Sequence, residues 1–164
     1  MRFRTALAFL VAVALAAAAG AQTKTSGTIQ CGKPDPSHTI EVGDRPGHMM
    51  GIGKSTCTWS PGMEIAGYKT KDGFSISFDD MIGAKYSGRG VHVSTMDNGD
   101  KIYVKFQGGG TLKDGALQTD SGKWSYVGGT GKLKGIKGKG TYKGKGNADG
   151  SATYEIEGDY QLPK

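Results

Sequence analysis

The chain has 164 residues, of which 29 are glycine, and its 21 basic and 15 acidic residues give a formal net charge of +6 at pH 7. This much glycine disfavours long helices, because glycine loses more backbone entropy on ordering than other residues. The charge is only mildly basic, and by itself it does not indicate a nucleic-acid partner.

Residues 1–21 have the pattern of an export signal. Arg2 and Arg4 precede an uncharged apolar run over residues 6–19, and Ala19-Gly20-Ala21 is the small-residue pattern that a signal peptidase needs. The run is shorter than the roughly 20 residues of a membrane-spanning helix. We therefore predict a bacterial-type signal peptide over residues 1–21 and one mature domain over residues 22–164. The protein is then periplasmic or secreted, with no transmembrane segment after processing and no nucleic-acid partner.

Cys31 and Cys57 are the two cysteines of the chain. An even count in an oxidising compartment favours a disulfide. The alternative is a metal or redox pair, but there is no Cys-x-x-Cys motif and no histidine at ligand spacing. In the chain-entropy model, closing a loop of this length stabilises the fold by about 3.5 kcal/mol.

Apolar and polar residues alternate along much of the mature chain, which predicts strands with one buried and one solvent-facing side. The residues predicted to be buried are Phe74, Ile76 and Phe78; Val91 and Val93; Ile102, Val104 and Phe106; Trp124 and Tyr126; and Ala152, Tyr154 and Ile156. Less regular strands are predicted over 27–31, 38–42 and 50–59. Asp-Gly or Asn-Gly pairs at 72–73, 98–99, 114–115 and 149–150 predict turns. About eight antiparallel strands with such turns indicate a sandwich or a barrel.

Residues 126–140 read YVGGTGKLKGIKGKG. This segment resembles the glycine-rich turn between two late strands of the barrel in the allene oxide cyclase and dirigent superfamily. The residues that carry the resemblance as a structural turn are Gly128, Gly129, Thr130, Gly131, Gly135 and Gly138. The resemblance implies a single antiparallel barrel of about eight strands. The superfamily includes cyclases of oxidised fatty acids and proteins that steer phenoxy-radical coupling, but the matched turn carries no catalytic residue.

The residues of this turn favour the same local structure. Thr130 is placed to cap a single helical turn, and Leu133 and Ile136 are spaced to pack into one end of the barrel. Gly138 then begins a strand that runs to Gly146.

The strand over 137–146 has two unlike faces. Lys137, Lys139, Lys143 and Lys145 share one face and are predicted to point into water, since burying unpaired charges is costly. These lysines either bind an anionic polymer, such as lipopolysaccharide, teichoic acid or extracellular DNA, or they keep the protein soluble and protect a strand edge.

The opposite face of that strand is nearly bare, with glycines around Tyr142. Glycine there leaves room for a ligand or lets large side chains fill the barrel, and we expect the filled barrel. The residues predicted to line any ligand cavity are Trp124, Tyr126, Tyr142 and Tyr154.

Other candidate sites are weaker. His48, Met49, Met50 and Met63 are of the types that bind copper(I), but their irregular spacing favours packing, so we predict no metal and no cofactor. His92 alternates with Val91 and Val93, which predicts that it lies on the outer face. Asp79-Asp80 is predicted to lie in a loop, and His38 and Glu41 on opposite sides of a strand.

No hydrolase, metalloprotease or paired-carboxylate motif is present, so catalytic residues are unknown. We therefore expect an exported barrel that binds a small apolar ligand or a cell-envelope component. The alternatives are a cyclase- or isomerase-like enzyme acting in the cavity, and a surface protein that binds polyanions through its lysines. Assembly into a homo-oligomer is left open.

Overall fold

The computed structural model describes residues 22–164, and the predicted signal peptide lies outside them. Within this range the chain forms ten strands and one short 3₁₀ turn. The strands are β1 Thr23–Cys31, β2 Ser37–Glu41, β3 His48–Trp59, β4 Glu64–Ile65, β5 Tyr68–Ile82, β6 Lys85–Met96, β7 Lys101–Lys113, β8 Ala116–Gly129, β9 Lys137–Gly146 and β10 Ala152–Gln161. No helix of this range is long and apolar enough to cross a membrane.

Eight of the strands close into an antiparallel barrel. Strands β5 to β10 follow one another as a meander, β10 pairs with β1, and β3 pairs with both β1 and β5. The short strands β2 and β4 add to β3 and β5 outside this ring. The predicted all-β barrel of about eight strands is confirmed.

The seam between β1 and β3 is the shortest in the ring. It has three residue pairs, Ile29 with Trp59, Gln30 with Thr58, and Cys31 with Cys57. The last pair is a disulfide whose Cα atoms are 4.0 Å apart, so the predicted Cys31–Cys57 bond is confirmed. The bond ties the two strands together where few ladder hydrogen bonds hold them.

One end of the barrel is closed by packed side chains. Met63 and Ile65 come from the segment around β4, Met96 and Ile102 from the β6–β7 hairpin, and Leu133 from the 3₁₀ turn, and all five are at most 2% exposed. The other end carries the loop after β1 and the hairpins β5–β6, β7–β8 and β9–β10. It stays open as a wide mouth.

The glycine-rich turn closes the barrel as its residues predict. Gly131–Leu133 forms the 3₁₀ turn, with Thr130 in the preceding capping position. Thr130 Oγ1 makes no cap bond there, but accepts a hydrogen bond of 2.8 Å from the Lys101 backbone N–H. Leu133 and Ile136 are buried in the closed end, which confirms their predicted packing.

Three of the four predicted turns are confirmed, at residues 98–99, 114–115 and 149–150. Asp114 and Gly115 form a tight turn between β7 and β8, both with positive φ. The turn predicted at Asp72-Gly73 is wrong, because these residues lie inside β5. The β5–β6 register shifts between Thr70 and Asp72, so a bulge stands where a turn was expected.

The predicted buried faces are confirmed for β7, β8 and β10, but not for β5 and β6. Phe74, Ile76 and Phe78 lie on the outside of the barrel, whereas Ser75 and Ser77 face its interior. Val91 is likewise outside, with 45% of its surface exposed. The reason is that the barrel is polar inside near its mouth, so the core face of β5 and β6 is the polar one.

Candidate functional site

A small apolar cavity lies inside the barrel, above the packed end. Its volume is about 100 Å³. Its floor and walls include Trp59, Ile102, Val104, Phe106, Trp124 and Ile156. Both tryptophans of the chain therefore line it.

Glycines of the barrel wall make room for the aromatic rings of this cavity. A Cβ at Gly140 or Gly158 would collide with the Trp124 indole, and a Cβ at Gly108 or Gly122 would collide with the Tyr142 hydroxyl. The Trp124 Nε1–H donates to the Thr141 and Glu157 carbonyls at 3.2 Å, which fixes the indole against the wall. The bare face of β9 is thus filled largely by rings, as expected, although a cavity remains.

The cavity opens towards the mouth. The mouth encloses about 840 Å³, and Phe106, Asp120 and Tyr142 line both spaces. These three residues therefore form the boundary that a molecule entering the cavity would cross.

Two carboxylates lie near each other here, Asp120 at this boundary and Asp79 in the mouth. Burial raises the pKa of Asp120, while hydrogen bonds from Tyr86, the Ser121 backbone and Tyr142 lower it and the charge of Asp79 raises it. Burial also raises the pKa of Asp79, against the lowering effect of a 2.8 Å hydrogen bond from Ser77. Asp120 Oδ1 is buried and has no hydrogen-bond partner among residues 22–164.

The tyrosines around Asp120 remain protonated. Burial and the charge of Asp120 raise the pKa values of Tyr86, Tyr142 and Tyr154 well above their ordinary range. Their rings give the boundary an aromatic wall, with Tyr142 edge-on to Tyr154 at 6.0 Å between centroids.

His92 lies in the cavity wall, so its predicted position on the outer face is wrong. Its Nδ1 is 2.8 Å from Ser75 Oγ and its Nε2 is 2.7 Å from Ser94 Oγ, which also accepts a 3.0 Å bond from the Trp59 indole. Burial lowers the pKa of His92 to about 4, so the ring is neutral at physiological pH. The imidazole is held by hydroxyls and carries no charge into the cavity.

Asp79 also departs from its predicted place. It lies within β5 and faces inward, because β5 continues through Asp79-Asp80 to Ile82 instead of ending after Phe78. A Cβ at Gly88 on β6 would collide with the Asp79 carboxylate, so this glycine makes room for it. The polar alternation of Ser75, Ser77 and Asp79 is the sequence signal that could have revealed this inner face.

The four predicted cavity residues do not all reach the cavity. Trp124, Tyr142 and Tyr154 line it. Tyr126 is buried beside Trp124, with 4.9 Å between ring centroids, but it is not part of the lining. Its hydroxyl has no hydrogen-bond partner among residues 22–164.

The four lysines of β9 are exposed on the outer face, together with Thr141. They do not form an uninterrupted cationic surface, because the outer face of β10 beside them is acidic. In the β9–β10 register Lys139 is opposite Asp159 and Lys143 is opposite Glu155. Glu157 lies between these two acids, opposite Thr141. Polyanion binding by these lysines remains a prediction.

The candidate soft-ligand residues are not brought together. His48 lies at one end of β3, where its ring nitrogens contact Asp44 and Asp80. Met63 is buried at the closed end of the barrel. Within residues 22–164 no group of three or more His, Cys, Asp or Glu side chains is arranged to hold a metal ion.

An apolar surface covers the outside of β2, β3, β5 and β6. Ile40 is opposite Met50, Ile52 is opposite Phe78, and Val91 is opposite Ile76, so these side chains adjoin one another. Five of them, Ile40, Met50, Ile52, Phe78 and Val91, are at least 40% exposed. We call these six residues the outer apolar face.

The barrel is similar to solved structures of the dirigent-like fold. A protein of unknown function from the DUF3224 family of Shewanella oneidensis MR-1 matches with a TM-score of 0.53 at 16% identity, over 88% of this chain and 99% of that one. The pterocarpan synthase dirigent protein GePTS1 matches with a TM-score of 0.52 at 14% identity, over 88% of this chain and 86% of that one.

No family model and no curated protein matches the chain. The fold implied by the turn at residues 126–140, an allene oxide cyclase and dirigent-like barrel, is confirmed. At this level of identity the likeness concerns the fold alone.

Proposed function

We propose that this protein is an exported barrel that binds a small, largely apolar ligand inside its cavity. The observation that carries the proposal is the aromatic-lined cavity, which opens into the mouth past Phe106, Asp120 and Tyr142. Ligand sites are commonly concave and apolar with a few polar groups, and the mouths of barrels are a frequent place for them. A disulfide across the β1–β3 seam is in keeping with an oxidising compartment.

Binding is tested with the neutral fluorescent probe N-phenyl-1-naphthylamine, added to the protein over residues 22–164. We expect fluorescence enhancement at micromolar probe concentrations, because the cavity and the aromatic wall at its entrance together remove the probe from water. Val104→Phe, which fills the cavity, is expected to weaken binding at least tenfold. Val127→Phe is the matched control, since Val127 is exposed on the outside of β8.

Native mass spectrometry of the protein from its producer's envelope gives an independent test. A small molecule that co-purifies with the protein and is lost in Val104→Phe supports the proposal. An empty protein that also fails to take up the probe contradicts it.

A second candidate function is acid–base catalysis in the same cavity. The observation that favours it is the pair Asp79 and Asp120, whose pKa values burial raises, at the boundary of a cavity lined by tryptophan and tyrosine. A carboxylate there can take a proton from a carbon of the bound molecule and return it to another position. Incubating a co-purified ligand with the protein in D₂O tests this: deuterium enters the ligand if Asp120 acts as base, and does not with Asp120→Asn.

We further propose that a second copy of this chain covers the outer apolar face. Monomeric proteins rarely expose contiguous apolar patches of this kind. Arg89 lies opposite Phe78 on the same face and forms no salt bridge within residues 22–164. Asp80 is on this face too; its Oδ1 contacts His48 Nε2 at 3.1 Å, and its side chain stays half exposed. Arg89 of one copy and Asp80 of another are therefore complementary charges around an apolar centre.

Sedimentation velocity tests this assembly. We expect a dimer or higher oligomer, and we expect Phe78→Asp to convert it to a monomer, because the substitution places a charge in the apolar centre. Val127→Asp, an equally exposed position outside the face, should leave the assembly unchanged. A monomeric parent protein at tens of micromolar would contradict the proposal.

A further inference from the structure

The interior of the barrel and the chain as a whole differ in the sign of their charge. The whole chain carries a formal charge of +6. The charged residues that line the mouth are Lys33 and four aspartates, Asp79, Asp114, Asp120 and Asp149. The path to the cavity is therefore acidic, in a protein that is otherwise basic.

The two inner aspartates, Asp79 and Asp120, form no salt bridge with any residue of the range 22–164. The charge of Asp79 raises the pKa of Asp120, and no lysine or arginine lines the cavity among residues 22–164. A buried charge is costly unless it is paired and hydrogen-bonded. Asp120 Oδ1 accepts no hydrogen bond from residues 22–164, so it offers an unused acceptor at the entrance to the cavity.

The neighbouring rings favour the same kind of ligand. Phe106, Trp124, Tyr142 and Tyr154 all line the cavity. Aromatic faces attract cations through the ring quadrupole, and more strongly where the site is shielded from water. Aromatic walls together with unpaired carboxylates are complementary to a positive charge carried on an apolar body.

We propose that the barrel selects organic cations: the flat apolar part of the ligand enters the cavity from the mouth, and its positively charged nitrogen lies against Asp120 and Asp79. This inference rests on the proposed ligand-binding function and names the class of ligand. Neutral molecules of the same shape bind less tightly, and anions are repelled.

The selection depends on pH in a defined direction. The groups that face Asp120 are Asp79 from β5, Tyr86 from β6, Tyr142 from β9 and Tyr154 from β10, with Lys33, Asp114 and Asp149 at the rim and His92 deeper in the wall. The tyrosines and the neutral His92 do not ionise between pH 5 and 8. Because burial raises the pKa of both aspartates above 3.8, the affinity for a cation increases as the pH rises through a range above that value.

Three probes of one shape separate charge from size. N-methylquinolinium carries a permanent positive charge, 1-methylnaphthalene is its neutral counterpart, and 1-naphthoate is negative. Binding is followed by quenching of the fluorescence of Trp59 and Trp124, which both line the cavity. At pH 7.5 we expect N-methylquinolinium to bind at least tenfold tighter than 1-methylnaphthalene, and this preference to decline on acidification.

The decisive variant is Asp120→Asn, with Asp79→Asn as a second. Each should reduce the preference for the cation to less than threefold and flatten its pH dependence, while the affinity for 1-methylnaphthalene stays within about twofold. Asp97→Asn makes the same change of charge at an exposed position at the closed end of the barrel and should change nothing.

We expect Asp120→Asn to fold, because it removes a carboxylate that burial disfavours. An acid whose folded pKa is raised opposes folding at neutral pH, so the variant should melt above the parent at pH 7.5. This difference should shrink as the pH falls through the raised pKa towards 3.8. If Asp120→Asn does not fold, binding to Asp79→Asn and the pH series on the parent protein decide whether the carboxylates cause the preference for the cation.

The outcomes separate this inference from the function on which it rests. Equal binding of the cation and its neutral counterpart overturns the selectivity and leaves ligand binding intact. Failure of all three probes to bind contradicts both. A preference for the cation that survives Asp120→Asn and Asp79→Asn alike overturns the assignment to these carboxylates.

Discussion

Replacing Trp124 by alanine is expected to lower the free energy of unfolding by about 3–5 kcal/mol. The indole is 5% exposed, rests against Gly140 and Gly158, and donates to two backbone carbonyls across the β9–β10 pair. The wall residues beside the indole are glycines, so no neighbouring side chain can move into the space that the indole leaves. The vacated space therefore stays as a larger cavity, and the loss is close to the full cost of removing the ring.

Urea unfolding of the Trp124→Ala protein measures the loss, followed by circular dichroism because one of the two tryptophans is removed. Lys123→Ala, at the exposed position next to it on β8, serves as the control and should stay within 0.5 kcal/mol of the parent. A loss below about 1 kcal/mol for Trp124→Ala would mean that the barrel collapses around the gap, which would contradict the packing of the indole on Gly140 and Gly158.

Removing the disulfide is expected to cost about 3.5 kcal/mol, since Cys31 and Cys57 close a loop whose freedom returns in the unfolded chain. The structure adds a second reason for a large effect. The bond lies at the β1–β3 seam, which has only three residue pairs, whereas the β3–β5 pair has eleven. Without the bond, the seam is the part of the barrel that opens first.

The Cys31→Ala, Cys57→Ala double variant is compared with the parent protein by urea unfolding, with and without dithiothreitol. The parent should lose stability in the reductant and the variant should not. Hydrogen exchange locates the weakness: amides of residues 29–31 and 57–59 should exchange faster in the variant, while those in the β7–β8 pair should not change. Uniformly faster exchange would argue that the seam is not a local weak point.

The fold could be read from the sequence to a large extent because two independent signals agree. The alternation of Ile102, Val104 and Phe106 predicts a strand with one buried face. The Gly-Gly-Thr-Gly turn implies the barrel through its resemblance to a known family, and the residues that follow it predict the packing of the closed end. Leu133 and Ile136 pack as their spacing indicates. These signals are local, and each refers to a part of the barrel where the interior is apolar.

Alternation fails where the interior is polar. It separates the two faces of a strand, but it does not say which face points inward, and the usual choice of the apolar face is wrong for β5. Phe74, Ile76 and Phe78 lie outside because the inner face of β5 carries Ser75 in the cavity wall and Ser77 and Asp79 in the mouth. The error for His92 on β6 has the same cause, since it pairs with Ser75 across the strands.

The candidate site was predicted only in part. Its aromatic members Trp124, Tyr142 and Tyr154 follow from the strand pattern and the glycines opposite them. Asp79 and Asp120 are 41 residues apart in sequence, and their proximity depends on the closure of the ring, which no local pattern encodes. The two carboxylates on the path to the cavity could therefore be found only in the folded barrel.

The order of strands in the ring also sets when a growing chain can complete its fold. β1 pairs with β10 over its whole length, in nine residue pairs that begin with Thr23 and Tyr160. A nascent polypeptide that has released β1 to β9 still lacks the strand that joins them, so the edges of β1 and β9 remain unpaired. Open edges of this kind invite pairing with other chains. The barrel closes only after β10 has been synthesised. Until then the unpaired edges of β1 and β9 can pair with other chains unless the polypeptide is kept unfolded.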